Sequence, residues 1–238
     1  MKNGKFMKAL LHKIRYRLQH ILFGRLVRQS DLDTLYAQFS ALLQIQNAME
    51  GKPVLRPMRG WALSPDAMMW ILADLQERPA PTVIEFGSGQ STIILAAALK
   101  HRNGRFLSVE NDPEYSAVIQ RQVAACGLTD QVQFVHAPLC DTSDKIPIRS
   151  YQTSALPDIS ADIVLVDGPP YENGTFTRLH PLRWAVRHLK PLGAIFLEDS
   201  ARDFEQACLK QLTTEHPNLR ITHRCAEKGL AELRLPVT

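Results

Sequence analysis

Two groups of residues in this chain have the types and spacing to do chemistry. The first is Val83-Ile84-Glu85-Phe86-Gly87-Ser88-Gly89-Gln90-Ser91-Thr92, an apolar run that passes through a glycine turn into a helical stretch. Two glycines let the main chain bend sharply and come close to a bound ligand. Glu110 follows Gly87 by 23 residues and ends the next apolar run, the place where a carboxylate can accept both hydroxyls of a ribose. The second group is Asp167-Gly168-Pro169-Pro170-Tyr171 with Glu198-Asp199-Ser200. Asp167, Asp199 and the Ser200 hydroxyl are hard oxygen ligands suited to Mg²⁺. The other reading has Asp167 orient a substrate or an ammonium group while Asp199 caps the helix that follows.

These residues need rigid supports. Strands are expected at Val83–Phe86, Arg105–Val109, Val132–His136, Ile163–Val166 and Ala194–Leu197, short apolar runs of the kind buried on both faces. Helices alternate with them at Thr92–Lys100, Pro113–Cys126 with Gly127 as a left-handed cap, Leu179–Leu189 and Arg202–His216. This alternation implies a doubly wound α/β domain on a mostly parallel seven-stranded sheet. Leu219–Cys225 and Leu230–Leu235 close it as an antiparallel hairpin, because Ala226–Gly229 is too short for a crossover. Asp141–Ser160 reads as a long polar loop on the substrate side. Upstream, Asp31–Met49 reads as a helix, and Ser64-Pro65-Asp66 as the start of another, with the Ser64 side chain as its cap. Residues 1–55 form an N-terminal helical region and 56–238 the α/β domain.

With these motifs in place, the chain resembles the class I S-adenosylmethionine-dependent methyltransferases, and within them a bacterial group with GSGxST in the turn and DGPP after the fourth strand. The resemblance runs from about Trp61 to the C-terminus. It implies that Glu85, Gly87 and Gly89 surround the methionine part of the donor, with Ser88, Ser91, Thr92 and Asp167 in the same cofactor-binding set. Glu110, with Asn111 beside it, would hold the ribose, and Ala137, Pro138 and Leu139 would line the adenine. Ser91 stands where many members have a third glycine, and His136-Ala137-Pro138 lacks the acid that often meets the adenine amine. The second group resembles the catechol-type and macrocin-type O-methyltransferases, which implies Asp167 and Asp199 as ligands of Mg²⁺ or another divalent cation, although Ser200 replaces the usual Asn or Asp. Asp167 and His180 are the candidates for taking a proton from the acceptor, and Tyr171, Arg178 and Arg183 for meeting an acidic or sugar-like one. The expected activity is transfer of a methyl group to a hydroxyl of a small molecule or glycan. Two alternatives are a non-catalytic nucleotide-binding or membrane-adaptor protein on the same fold, and a nicotinamide-dependent oxidoreductase, which the terminal hairpin and the missing third glycine disfavour.

Composition narrows the partners. Apolar residues make up 45% and charged residues 22% of 238, as in an ordinary globular protein. The net charge of +4 is local: the first thirty residues hold eight Lys or Arg and no acid, leaving 20 basic against 24 acidic residues elsewhere. A nucleic-acid partner is therefore not expected. Residues 5–26 form a basic amphipathic pattern that suits the surface of a membrane, an organellar presequence, or packing on protein, including a second copy in a homodimer. The expected location is the cytoplasm, with the inner face of a membrane as a peripheral site. Cys126, Cys140, Cys208 and Cys225 show no metal-ligand spacing and read as reduced, mostly buried thiols.

Overall fold

A computed structural model describes residues 29–49, 57–142, 148–170 and 176–236. The basic segment 5–26 and Tyr171 lie outside them. The chain forms two compact units, Met1–Ser40 and Ala41–Thr238. Helix α1 (Gln29–Ala48) covers the stretch expected to be helical from Asp31, and its Ile45, with Met49, joins the core of the second unit.

That core is built around a seven-stranded sheet. The strands are β1 (Thr82–Phe86), β2 (Arg105–Glu110), β3 (Gln133–His136), β6 (Ala161–Val166), β7 (Leu189–Glu198), β8 (Arg220–Arg224) and β9 (Leu230–Arg234), in the order β3-β2-β1-β6-β7-β9-β8. β1, β2, β3, β6 and β7 pair in parallel, while β9 runs antiparallel to both β7 and β8, as the hairpin spacing predicts. Side chains alternate across the sheet. Val83, Ile163, Leu165, Ala194 and Phe196 pack under α2 (Pro65–Gln76), α3 (Gln90–Leu99) and α4 (Pro113–Ala125), whereas Ile84, Phe86, Val164, Val166, Ile195 and Leu197 pack under α5 (Leu179–His188) and α6 (Asp203–Glu215). Both faces are covered, which explains why these strands read as continuous apolar runs.

Three features depart from expectation. Asp141–Ser160 is not simply a loop: β4 (Leu139–Asp141) pairs antiparallel with β5 (Arg149–Tyr151), and Thr153–Ala155 forms a 3₁₀ turn. Three-residue strands carry no readable period, and this ribbon is held by tertiary packing instead, with Tyr151 buried against Phe86 at 5.5 Å between ring centroids and Phe86 in turn 5.6 Å from Trp184. The cysteines are all free, but only Cys208 is fully buried; Cys126 and Cys140 are half-buried and Cys225 is exposed. Ser64 precedes α2 in an extended conformation, yet its side chain makes no cap bond, and its Oγ is buried without a partner. The first turn is instead bonded by Asp66, whose Oδ1 accepts from Ala67 N at 2.9 Å.

A capping serine replaced by alanine costs about 1 kcal/mol. Because the Ser64 hydroxyl is desolvated and unpaired, Ser64→Ala is expected to leave stability unchanged or to raise it. Urea unfolding checks this, and a loss of stability would mean that the hydroxyl does bond the helix.

Candidate active site

The C-terminal ends of β1, β2 and β6 meet at the glycine turn. Gly87 has φ +99°, a left-handed conformation that a side chain resists. A Cβ there would lie 3.1 Å from Gly168 N and 3.2 Å from the Asp167 carbonyl carbon, so this glycine is required by the approach of the β6 turn. Gly168, joined to Pro169 by a cis peptide bond, is equally confined, since a Cβ on it would collide with the Tyr151 hydroxyl. Gly89 differs. Its backbone is extended, with φ −176°, and a Cβ would meet nothing closer than Ser91 Oγ at 3.7 Å. The protein leaves open space over Gly89, as a site for a ligand requires.

Two buried carboxylates flank the turn. Glu110 accepts Ser88 N at 3.0 Å on one oxygen, and Asn111 N at 2.8 Å and Asp112 N at 2.9 Å on the other. Burial raises its pKa, and these backbone donors oppose the rise. Glu85 is fully buried; its Oε2 accepts Thr92 Oγ1 at 2.5 Å and Ser108 Oγ at 2.7 Å, while Oε1 has no partner. Burial pushes its pKa up to about 7 against the hydroxyls of Ser91, Thr92 and Ser108. Thr92 Oγ1 also accepts Gly89 N at 2.9 Å, and Ser88 Oγ lies 2.8 Å from Ser108 Oγ. One hydrogen-bonded chain thus joins Glu85, Thr92, Ser108, Ser88 and Glu110. Ser108 was not among the expected site residues. It is the one hydroxyl inside the apolar run Phe106–Val109, and a hydroxyl in a strand buried on both faces must find a partner.

On the far side of Glu110, Ala137 N donates to the Glu110 main-chain oxygen at 2.9 Å, Pro138 O accepts Gln152 N at 2.9 Å, and Leu139 opens β4. The segment expected to line the adenine therefore lies beside the residue expected to hold the ribose. His136 Nε2 is 3.1 Å from Asn111 O.

Asp167 continues β6, its N–H bonded to Phe86 O at 2.9 Å. The structure brings Asp167, Glu198 and Asp199 together, with one carboxylate oxygen of each within 4.8 Å of the others, and Asp167 is the least enclosed of the three. Desolvation raises the pKa of Asp167 to about 6, opposed chiefly by Arg178, and that of Glu198 to about 9, reinforced by Asp167 and Asp199.

Several expected roles change here. Arg178 does not face an acceptor: it is buried, and its Nη2 lies 3.3 Å from Asp199 Oδ2 and 3.5 Å from Asp167 Oδ1. Arg183 lies elsewhere, paired with Glu215 at 2.6 Å between α5 and α6. Asp199 does not cap the next helix; Arg202 holds the N-cap position of α6, and its guanidinium pairs with Asp199 Oδ2 at 2.6 Å. Lys228, from the β8–β9 turn, reaches Glu198 Oε1 at 2.7 Å. The Ser200 hydroxyl sits beside the same turn, 3.1 Å from where a Cβ on Gly229 would be. His180 Nε2 is 3.0 Å from Thr153 Oγ1. Lys228 escaped the sequence reading, and Arg178 was expected in another role, because nothing local ties a helix-start arginine or a hairpin lysine to strand-end acids.

A methyltransferase-domain family model matches residues 84–200, the span from the glycine turn through the β7 acids. The chain's matched domain, its fold and its relatives are those of S-adenosylmethionine-dependent methyltransferases. It is 29% identical over 177 residues to a catechol O-methyltransferase of Niastella koreensis, covering 72% of this chain and 71% of that one. Its fold is that of an O-methyltransferase from Bacillus cereus solved with S-adenosylhomocysteine (TM-score 0.55, 17% identity, 83% of this chain and 91% of that one). It is also that of an S-adenosylhomocysteine-bound methyltransferase from Podospora anserina (TM-score 0.62, 14% identity, 88% and 97%). Among the described residues of this methyltransferase, no helix is long and apolar enough to cross a membrane. The site fits the methyl donor: open space lies over Gly89, Glu110 ends β2, and the unpartnered Glu85 Oε1 suits a cationic or N–H group.

The Glu85 pKa has a consequence for stability. A carboxyl raised from 4.5 to about 7 in the fold binds its proton more tightly than in the unfolded chain. Its contribution is therefore complete below the ordinary value and is lost as pH rises through the folded value. Without donor, the protein is expected to unfold at lower urea concentration at about pH 8 than at about pH 5, and Glu85→Gln should reduce the difference. An undiminished pH dependence in that variant would show that Glu85 is not the group responsible.

Proposed function

We propose that this methyltransferase transfers the group to a hydroxyl oxygen of a small molecule or glycan, and that Asp167 accepts the hydroxyl proton. The donor supplies a methyl on a positively charged sulfur, so what the chain must provide is position and a proton acceptor. The observation that carries the reading is the placement of Asp167, which leaves β6 directly against the Gly87 turn and is less enclosed than its neighbours Glu198 and Asp199. Burial raises its pKa above the ordinary carboxylate value, with Arg178 opposing the rise, and a raised pKa suits a proton acceptor. The similarity to a catechol O-methyltransferase supports a hydroxyl acceptor. His180 is second choice for the base, since its Nε2 meets Thr153.

Transfer of labelled methyl to catechols and sugar hydroxyls tests the proposal. Asp167→Asn is expected to lower kcat by about 10²- to 10⁴-fold while S-adenosylhomocysteine still binds. Full activity in Asp167→Asn would remove Asp167 from the reaction, and donor binding with no transfer to any acceptor would favour the non-catalytic alternative.

A further inference from the structure

The acids at the ends of β6 and β7 form a cluster of the kind that holds a divalent ion in the catechol-type enzymes, but here the chain's own cations stand among them. A hard divalent ion needs carboxylate oxygens that are free to turn toward it and no competing positive charge beside them. In this cluster the positive charge is already present, although Glu198 Oε1 and Oε2 and Asp199 Oδ1 make no hydrogen bond. Arg178 Nη2 lies 3.3 Å from Asp199 Oδ2 and 3.5 Å from Asp167 Oδ1. Lys228 Nζ lies 2.7 Å from Glu198 Oε1 and 3.4 Å from Asp199 Oδ1, and Arg202 Nη1 lies 2.6 Å from Asp199 Oδ2. Glu205, 3.6 Å from Arg178 Nε, adds a fourth carboxylate. Four acids thus face three cations, whereas three bare carboxylates would present their full negative charge to an ion.

Nor are these cations free to leave. Arg178 Nη1 donates to Glu198 O at 2.8 Å and Nη2 to Asp167 O at 2.9 Å, so one buried guanidinium ties the main chain at the end of β6 to that at the end of β7. Lys228 Nζ donates to Ala62 O at 2.9 Å, which ties the β8–β9 turn to the segment before α2.

We propose that Arg178 and Lys228 take the place of the divalent ion at this cluster, so that the donor-bound protein takes up no divalent cation there. The inference rests on the methyltransferase reading. In it Arg178 and Lys228 are positioning residues: they fix the strand ends, and with them the Asp167 carboxylate, by ion pairs internal to the chain. Like charges brought this close repel, so a Mg²⁺ or Mn²⁺ ion could enter only after the ammonium or guanidinium had been displaced.

The test is titration of Mn²⁺ into the full-length chain saturated with S-adenosylhomocysteine, with free Mn²⁺ followed by electron paramagnetic resonance. The wild-type protein is expected to leave the free Mn²⁺ signal as in buffer. Lys228→Met, which removes one cation and keeps the bulk, is expected to raise Mn²⁺ affinity by about tenfold or more. Uptake of one equivalent of Mn²⁺ by the wild type would overturn the proposal. So would a folded Lys228→Met protein with unchanged affinity, because the cluster would then not be a latent ion site. Calorimetry with S-adenosylhomocysteine alone separates the two claims: failure of donor binding refutes the proposed function, while Mn²⁺ uptake with the donor product bound refutes only this inference.

Discussion

The contact on which the site depends is the approach of two bare backbones, Gly87 after β1 and Gly168 after β6, with a gap too small for a side chain on either. This close crossing sets the glycine turn and the Asp167 carboxylate side by side. The turn is then secured by carboxylates, Glu85 through the hydroxyls of Thr92 and Ser108, and Glu110 through Ser88 N. Buried acids are costly to desolvate, and here backbone and hydroxyl donors offset part of that cost. One oxygen of Glu85 is left without a hydrogen bond.

A second set of buried charges works differently. At the ends of β6 and β7 the acids are paired with guanidinium and ammonium groups from α5, α6 and the β8–β9 turn. Asp167 belongs to this second set and is its least enclosed member. Pairing of this kind adds little net stability but penalises any arrangement that separates the partners, which suits a cluster whose task is to hold strand ends in place.

The parallel sheet, its crossover helices and the terminal hairpin were legible in the sequence because each rests on a local signal: apolar runs of strand length, Gly127 as a left-handed cap, and a gap between β8 and β9 short enough to permit only a hairpin. Glu85, the glycines and Glu110 were legible because the spacing between the turn and the end of β2 is fixed by one intervening helix. The missing parts all depend on distant partners. The β4–β5 ribbon is held by Tyr151 against Phe86, Ser64 looks like a cap but bonds nothing, and Arg178 and Lys228 arrive at the acids from elements remote in sequence. Ser108 falls between these cases, since an isolated hydroxyl in a buried strand does announce a hydrogen bond.

The central claim, that the donor lies over the glycine turn, is tested most directly at Gly89, where the protein itself leaves room for a side chain. S-adenosylhomocysteine titrated by calorimetry into wild type and Gly89→Val should bind the first and not the second, with the variant's folding stability within about 1 kcal/mol of wild type. Equal binding by a folded Gly89→Val protein would contradict the account, because the ligand would then have to lie somewhere other than over this turn.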